Sequence, residues 1–172
     1  MFCLVISAAI FTCKSIEDAS VEDWTNVLNV NVRGYALMAK AVVPILKQQR
    51  SGSIIQMASI SSWIAQPNFV PYSTTKAAVL QMTRNLALDL GSFNIRVNSV
   101  SPGSIDSPGR NEIARMNNIT VEEMNEMCMQ GSCLKRIGQA QDIANLIVFV
   151  ISDLCPLMTG ANLVADGGNL II

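Results

Sequence analysis

Tyr72 and Lys76 stand four residues apart at the opening of an apolar-periodic stretch, and Ser59 lies thirteen residues before the tyrosine. Residues i and i+4 share one face of a helix, so the phenol and the ammonium can converge on one point. A free tyrosine titrates near pH ~10. A cation close by favours the phenolate and lowers that value, bringing the group toward acid–base chemistry at neutral pH. A serine hydroxyl beside it can hydrogen-bond the oxygen whose proton the tyrosine gives or takes. Tyrosine–lysine pairs at this spacing also sit on solvated helix faces, so the pattern gains meaning only from its surroundings.

The surrounding elements put these residues on one rim. Residues 4–11 read as a buried strand. Ser20, with Asp23 three residues on, opens a helix by a capping box. That helix carries Trp24, Val27, Leu28, Asn31, Tyr35, Met38, Val42 and Leu46 on one stripe, and Pro44 is expected to kink or end it. Asn31 interrupts the stripe with an amide, which needs partners if buried: it either ties the helix to a neighbouring loop or holds a water or carbonyl in a site. Arg50-Ser51-Gly52 forms a turn, residues 53–58 a second strand ending at Ser59, and residues 72–90 a helix stopped by Gly91. Residues 95–100 form a third strand, residues 141–152 a last helix and residues 162–165 a final strand before Asp166-Gly167-Gly168.

Strands alternating with helices define an α/β fold with a mainly parallel sheet, in one domain over residues 1–172. Ligands of such sheets bind beyond the carboxyl ends of the strands. Ser59, Pro102-Gly103 and Asp166-Gly167-Gly168 all follow strand ends, and Tyr72 and Lys76 begin the helix after one. The segment 101–138 differs from the rest: turns at Pro102-Gly103 and Pro108-Gly109, four methionines and a short helix capped by Thr120 with Glu123. Its place after a strand end predicts a substrate lid rather than core filler.

Composition removes several alternatives. The net charge is −1 and no basic patch is present, which argues against nucleic acid as a partner. Histidine is absent, which excludes a Ser-His-Asp triad, a Cys-His pair and a histidine-bound zinc site in this chain. Five cysteines without tight pairing read as incidental thiols of a reducing compartment, with no metal site. The first thirteen residues lack the positive flank of a signal peptide, and the apolar run at 143–151 is too short to span a bilayer. A cytoplasmic protein with no membrane partner is expected.

Y-S-T-T-K at 72–76, Ser59 at its spacing, N-V-N-V-R-G around Asn31, R-V-N-S-V-S-P-G-S-I-D-S at 96–107, L-K-R-I-G followed by D-I-A, and T-G-A-N-L-V-A-D-G-G together resemble the short-chain dehydrogenase/reductase family over nearly the whole chain. The resemblance implies a Rossmann-like fold and an oxidoreductase that moves a hydride between NAD or NADP and a secondary alcohol or ketone. It implies that Tyr72 is the general acid or base, that Lys76 lowers the tyrosine pKa and holds the nicotinamide ribose, that Ser59 orients the substrate oxygen, and that Asn31 holds a water in a proton relay. Pro102, Gly103, Ile105 and the hydroxyl of Ser107, where threonine is usual, would flank the nicotinamide. A homo-oligomer, dimer or tetramer, is the family's expectation, built through the two long helices or the last helix and strand.

Two departures qualify it. No G-x-x-x-G-x-G occurs in the sequence, so the first βαβαβ half of the fold, with its phosphate loop, is expected to be missing. Where the family reads N-N-A-G after the strand, this chain reads Ile6-Ser7-Ala8-Ala9. The chain alone is therefore expected to hold a dinucleotide weakly. A non-catalytic isoform that associates with full-length relatives is the alternative function, and neither the substrate nor the choice of NAD over NADP is written in these residues.

Overall fold

The computed structural model describes residues 2–172. Four strands, β1 (Cys3–Ile6), β2 (Gly52–Met57), β3 (Ile95–Pro102) and β4 (Asn162–Ala165), form one parallel sheet in the order β1-β2-β3-β4. Parallel neighbours need crossovers, and each is helical. Helices α1 (Val21–Leu28) and α2 (Tyr35–Gln49) join β1 to β2, and α3 (Val70–Leu90) joins β2 to β3. Helices α4 (Pro108–Met116), α5 (Val121–Gln130) and α6 (Ala140–Ile151) lie between β3 and β4. The α/β, Rossmann-like class expected from the sequence is the one observed.

Both faces of the sheet are covered, which is why its strands read as nearly continuous apolar runs. Successive strand residues point to opposite faces. Ile54 therefore packs with Leu46 of α2 and Ala87 and Leu90 of α3, while Ile55 packs with Val100, Ile143 and Val150 on the α6 side. Each of these fully buried isoleucines contributes about 1.5–3 kcal/mol. Arg96 ties β3 to α6. Its guanidinium donates to the carbonyls of Val150, Ile151 and Ser152 at 2.7, 3.0 and 3.2 Å, where the carbonyl end of a helix attracts a cation.

Helices α1 and α2 are one continuous rod interrupted by a wide π-helical turn over Asn29–Gly34. The buried positions Val27, Asn31, Tyr35 and Ala39 recur every four residues. In a regular α-helix such a stripe drifts by about 40° per step. A wider turn takes part of that drift back, so the four residues stay aimed at the sheet and at α3.

Four expectations are corrected. The first strand stops at Ile6, opposite Gln56 in the shared register, and residues 7–11 leave the sheet while β2 continues to Met57 beside β3. Pro44 does not break α2: it and Lys40, whose carbonyl it cannot satisfy, are both on the exposed side, where water can take that bond. Helix α3 ends at Leu90 with Gly91 as its cap, as expected, but Gly91 is right-handed at φ −57°, and the left-handed turn falls at Asn94, φ +57°, a conformation asparagine tolerates better than most residues. Strand β3 extends to Pro102, two residues beyond its predicted end. The capping boxes at Ser20 and Thr120 and the bounds of β4 are as read from the sequence. Among the described residues, no helix is long and apolar enough to cross a membrane.

Candidate active site

A cavity of about 680 Å³ opens at the carboxyl ends of β1, β2 and β3. Ser59, Tyr72, Lys76, Pro102, Gly103, Ile105 and Ser107 all line it. The sequence placed seven of its eight candidates here; Asn31 is the exception and lies behind the wall.

Ser59 follows β2 in an extended conformation, and its hydroxyl accepts from the Ser61 N–H at 3.1 Å, which starts the short turn over Ile60–Ser62. That turn ends the strand and holds Ser59 at the cavity mouth. Tyr72 sits in the first turn of α3, started by Pro71 near its N-terminus. Its ring is only 6% exposed. Phe11 stacks on it at 4.7 Å between centroids and Phe69 meets it edge-on at 5.8 Å. Phe11 reaches this position because residues 7–11 have left the sheet.

Lys76 lies one turn on, 1% exposed, and its Nζ donates to the Met57 carbonyl at 2.8 Å. The ammonium is 5.7 Å from the Tyr72 ring centroid and 5.5 Å from that of Tyr35. Burial lowers its pKa to about 8. The tyrosine departs from expectation. Burial pushes the Tyr72 phenol well above its ordinary value, the Ser59 hydroxyl pulls in the other direction, and the Cys13 thiol adds to the rise. Desolvation by burial thus outweighs the lowering expected from Lys76, whose ammonium donates one hydrogen bond to the Met57 carbonyl.

Asn31, fully buried, exchanges two hydrogen bonds with Ile10, accepting from its N–H at 2.9 Å and donating to its carbonyl at 2.9 Å. Its second amide hydrogen goes to Thr75 Oγ1 at 3.1 Å, and Thr75 in turn donates to the Tyr72 carbonyl at 2.7 Å. Asn31 thus ties its helix to the neighbouring loop through Ile10 and to α3 through Thr75. Asn31 fixes the segment that carries Phe11 and braces the helical turn that carries Tyr72.

Sequence reasoning missed Phe11, Phe69 and Arg110. The first two looked like ordinary core residues. Arg110 lines the cavity and is 6% exposed, in the first turn of α4. A cation there opposes the helix dipole, and that local conflict was the available signal.

The family model described as "Enoyl-(Acyl carrier protein) reductase" matches residues 2–169. The chain belongs to the short-chain dehydrogenase/reductase family. It is 39% identical over 166 residues to trans-4-hydroxycyclohexanecarboxylate dehydrogenase of Sinomonas cyclohexanicum, covering 96% of this chain and 59% of that protein. Among solved structures it resembles 4-hydroxyisoleucine dehydrogenase complexed with NADH and succinate, with a TM-score of 0.88 and 30% identity, over 97% of this chain and 67% of that one. It also resembles gluconate 5-dehydrogenase of Burkholderia cenocepacia in complex with NADP and tartrate, with a TM-score of 0.90 and 25% identity, over 98% and 64%. The chain thus spans about three fifths of the length of that curated relative. Family neighbours bind NADH or NADP, as those two complexes show.

Proposed function

We propose that this chain carries the catalytic part of an NAD(P)-dependent oxidoreductase that interconverts a secondary alcohol and a ketone. The observation that carries the reading is the convergence of Ser59, Tyr72 and Lys76 on one cavity whose far wall is the Pro102–Ser107 turn. The residues present fit the nicotinamide end of such a cofactor. The small side chains of Ser7 and Ala9 line the same cavity as that turn, and Lys76 stands at the wall with donors to spare beyond Met57. When bound, the nicotinamide supplies or accepts the hydride.

The chain's own residues handle the oxygen and its proton. Ser59 donates to the substrate oxygen and fixes its position. Tyr72, kept neutral by burial, is in the form that donates a proton to a carbonyl oxygen as the carbon is reduced; in the reverse direction the same oxygen must accept it. Bringing a ligand against Lys76 Nζ would turn the ammonium toward the cavity and ease formation of the phenolate. Asn31 acts through Thr75 and Ile10 to hold Tyr72 and Phe11, and α4 with α5, inside residues 101–138, forms the lid. The substrate is a cyclic or extended secondary alcohol, with 4-hydroxycyclohexanecarboxylate, which the Sinomonas relative is named for, and cyclohexanol as the first probes.

The test is turnover of these probes with NAD and NADP by the chain extended with the segment that relative carries outside the match. Tyr72→Phe is expected to lower turnover about 10²–10⁴-fold with an unchanged melting temperature. Turnover within a few-fold of the parent would show that the proton moves elsewhere.

A further inference from the structure

Arg110 is the one cavity-lining cation besides Lys76 among the described residues. Its Nε and one Nη are buried, yet neither has a hydrogen-bond partner among the described residues, and Arg110 forms no ion pair there. Buried guanidinium groups are normally paired, because an unpaired one forfeits its hydration without compensation. The neighbouring acid on α4, Glu112, lies on the exposed side and pairs with Arg115 at 3.9 Å. A buried cation left free at the wall of a cavity is a site prepared for an anion, and the planar fork of arginine suits a carboxylate.

Its position relative to the reacting end is set by a short relay of contacts. Arg110 follows Gly109, whose Cα lies so close to the Phe11 ring that a Cβ there would come within 2.6 Å of it. Phe11 in turn stacks on Tyr72. Arg110 and Tyr72 therefore line one cavity, together with the apolar side chains of Phe11, Ile113, Met124 and Ile147. A ligand that satisfies both ends has an oxygen to react, an apolar skeleton, and a negative charge remote from the reacting carbon.

We infer that Arg110 anchors a substrate carboxylate, so that the substrate class is a hydroxy acid or keto acid with an apolar spacer between its two polar ends. This rests on the proposed alcohol–ketone chemistry at Tyr72. The same guanidinium could in chemical terms take a phosphate of a dinucleotide. Its seat on α4, in a cavity also lined by methionine and isoleucine side chains, favours the substrate side.

Calorimetric titration of the chain with 4-hydroxycyclohexanecarboxylate and with its neutral methyl ester tests the inference without turnover. The acid is expected to bind at least about tenfold more tightly than the ester. Arg110→Met should erase that preference without lowering the melting temperature, because no internal partner is lost, and Arg110→Lys should retain part of it. A wild-type protein that does not prefer the acid, or an Arg110→Met protein that still does, overturns the assignment. Inorganic pyrophosphate forms the second arm: binding that depends on Arg110 for pyrophosphate but not for the acid would assign the residue to the cofactor instead. Tyr72→Phe should leave the acid preference intact, so a failure of the proton-transfer reading appears in turnover and a failure of this one in the acid-to-ester ratio.

Discussion

The ammonium of Lys76 donates to the backbone carbonyl of Met57 across 2.8 Å, and the phenol of Tyr35 donates to the same oxygen across 3.1 Å. A single carbonyl at the end of β2 thus holds a buried charge that has no carboxylate beside it. The arrangement keeps Lys76 in place at the cavity wall while leaving its charge costly.

That cost sets a pH dependence. Lys76 titrates at about 8 in the folded chain against 10.5 ordinarily, so between these values the unfolded chain binds a proton that the folded one does not. Stability therefore rises as pH climbs through this window, and the cost is fully present below it. Cys13, Tyr35 and Tyr72 are raised by burial and act with the opposite sign at higher pH, but they are common to wild type and a Lys76→Met variant. Urea unfolding at about pH 7 and about pH 10 should show wild type gaining on the order of 2 kcal/mol relative to Lys76→Met. Parallel pH profiles for the two proteins would mean that the ammonium is not buried as described.

The chain has two tyrosines, Tyr35 and Tyr72, and burial lifts both above the ordinary range. Ultraviolet titration is expected to show no tyrosinate as the pH passes about 10, the value for a free phenol. The signal should appear only with unfolding, in one step for both residues. A phenolate forming near neutral pH in the unliganded protein would restore the direct Lys76 effect that the sequence suggested.

Among the described residues, strand β1 pairs only with β2, and its other side is unpaired. Ser53 N–H donates to the Phe2 carbonyl, and the two-residue alternation of strands then turns Leu4 and Ile6 toward β2 and Cys3 and Val5 outward. Fast hydrogen exchange at the Cys3 and Val5 amides beside slow exchange at Leu4 and Ile6 is the expected pattern. With Phe2 57% and Val5 42% exposed along this edge, self-association that grows with concentration is expected in sedimentation. A monomer with all four amides protected would contradict it.

The site's participants were legible because their chemistry is carried by residue type and spacing: Ser59, Tyr72 and Lys76 needed only a strand end and one helical turn to meet. What was not legible depends on packing. The direction of the Tyr72 shift is decided by burial, and Phe11, which stacks on the ring, comes from a segment sixty-one residues away in sequence that reads on its own as strand. Asn31 advertised itself as a polar break in an apolar stripe, but which partners satisfied it was a matter of tertiary contact. Gly91 and Asn94 show the same limit in the backbone: both residue types permit a left-handed stop, and residue type alone does not say that the second takes it.

The wide turn at Asn29–Gly34 makes chain length itself a determinant of the site. Adding one residue there rotates everything after it by about 100°. Tyr35 would then swing off the Met57 carbonyl while Asn31, on the near side, kept its hold on Ile10. Conservative exchanges of Val30 or Val32 leave that phase untouched, whereas a single-codon insertion, which removes no functional group, separates the brace of Tyr72 from the support of Lys76. Mutational tolerance in this segment should therefore be governed by length far more than by residue identity.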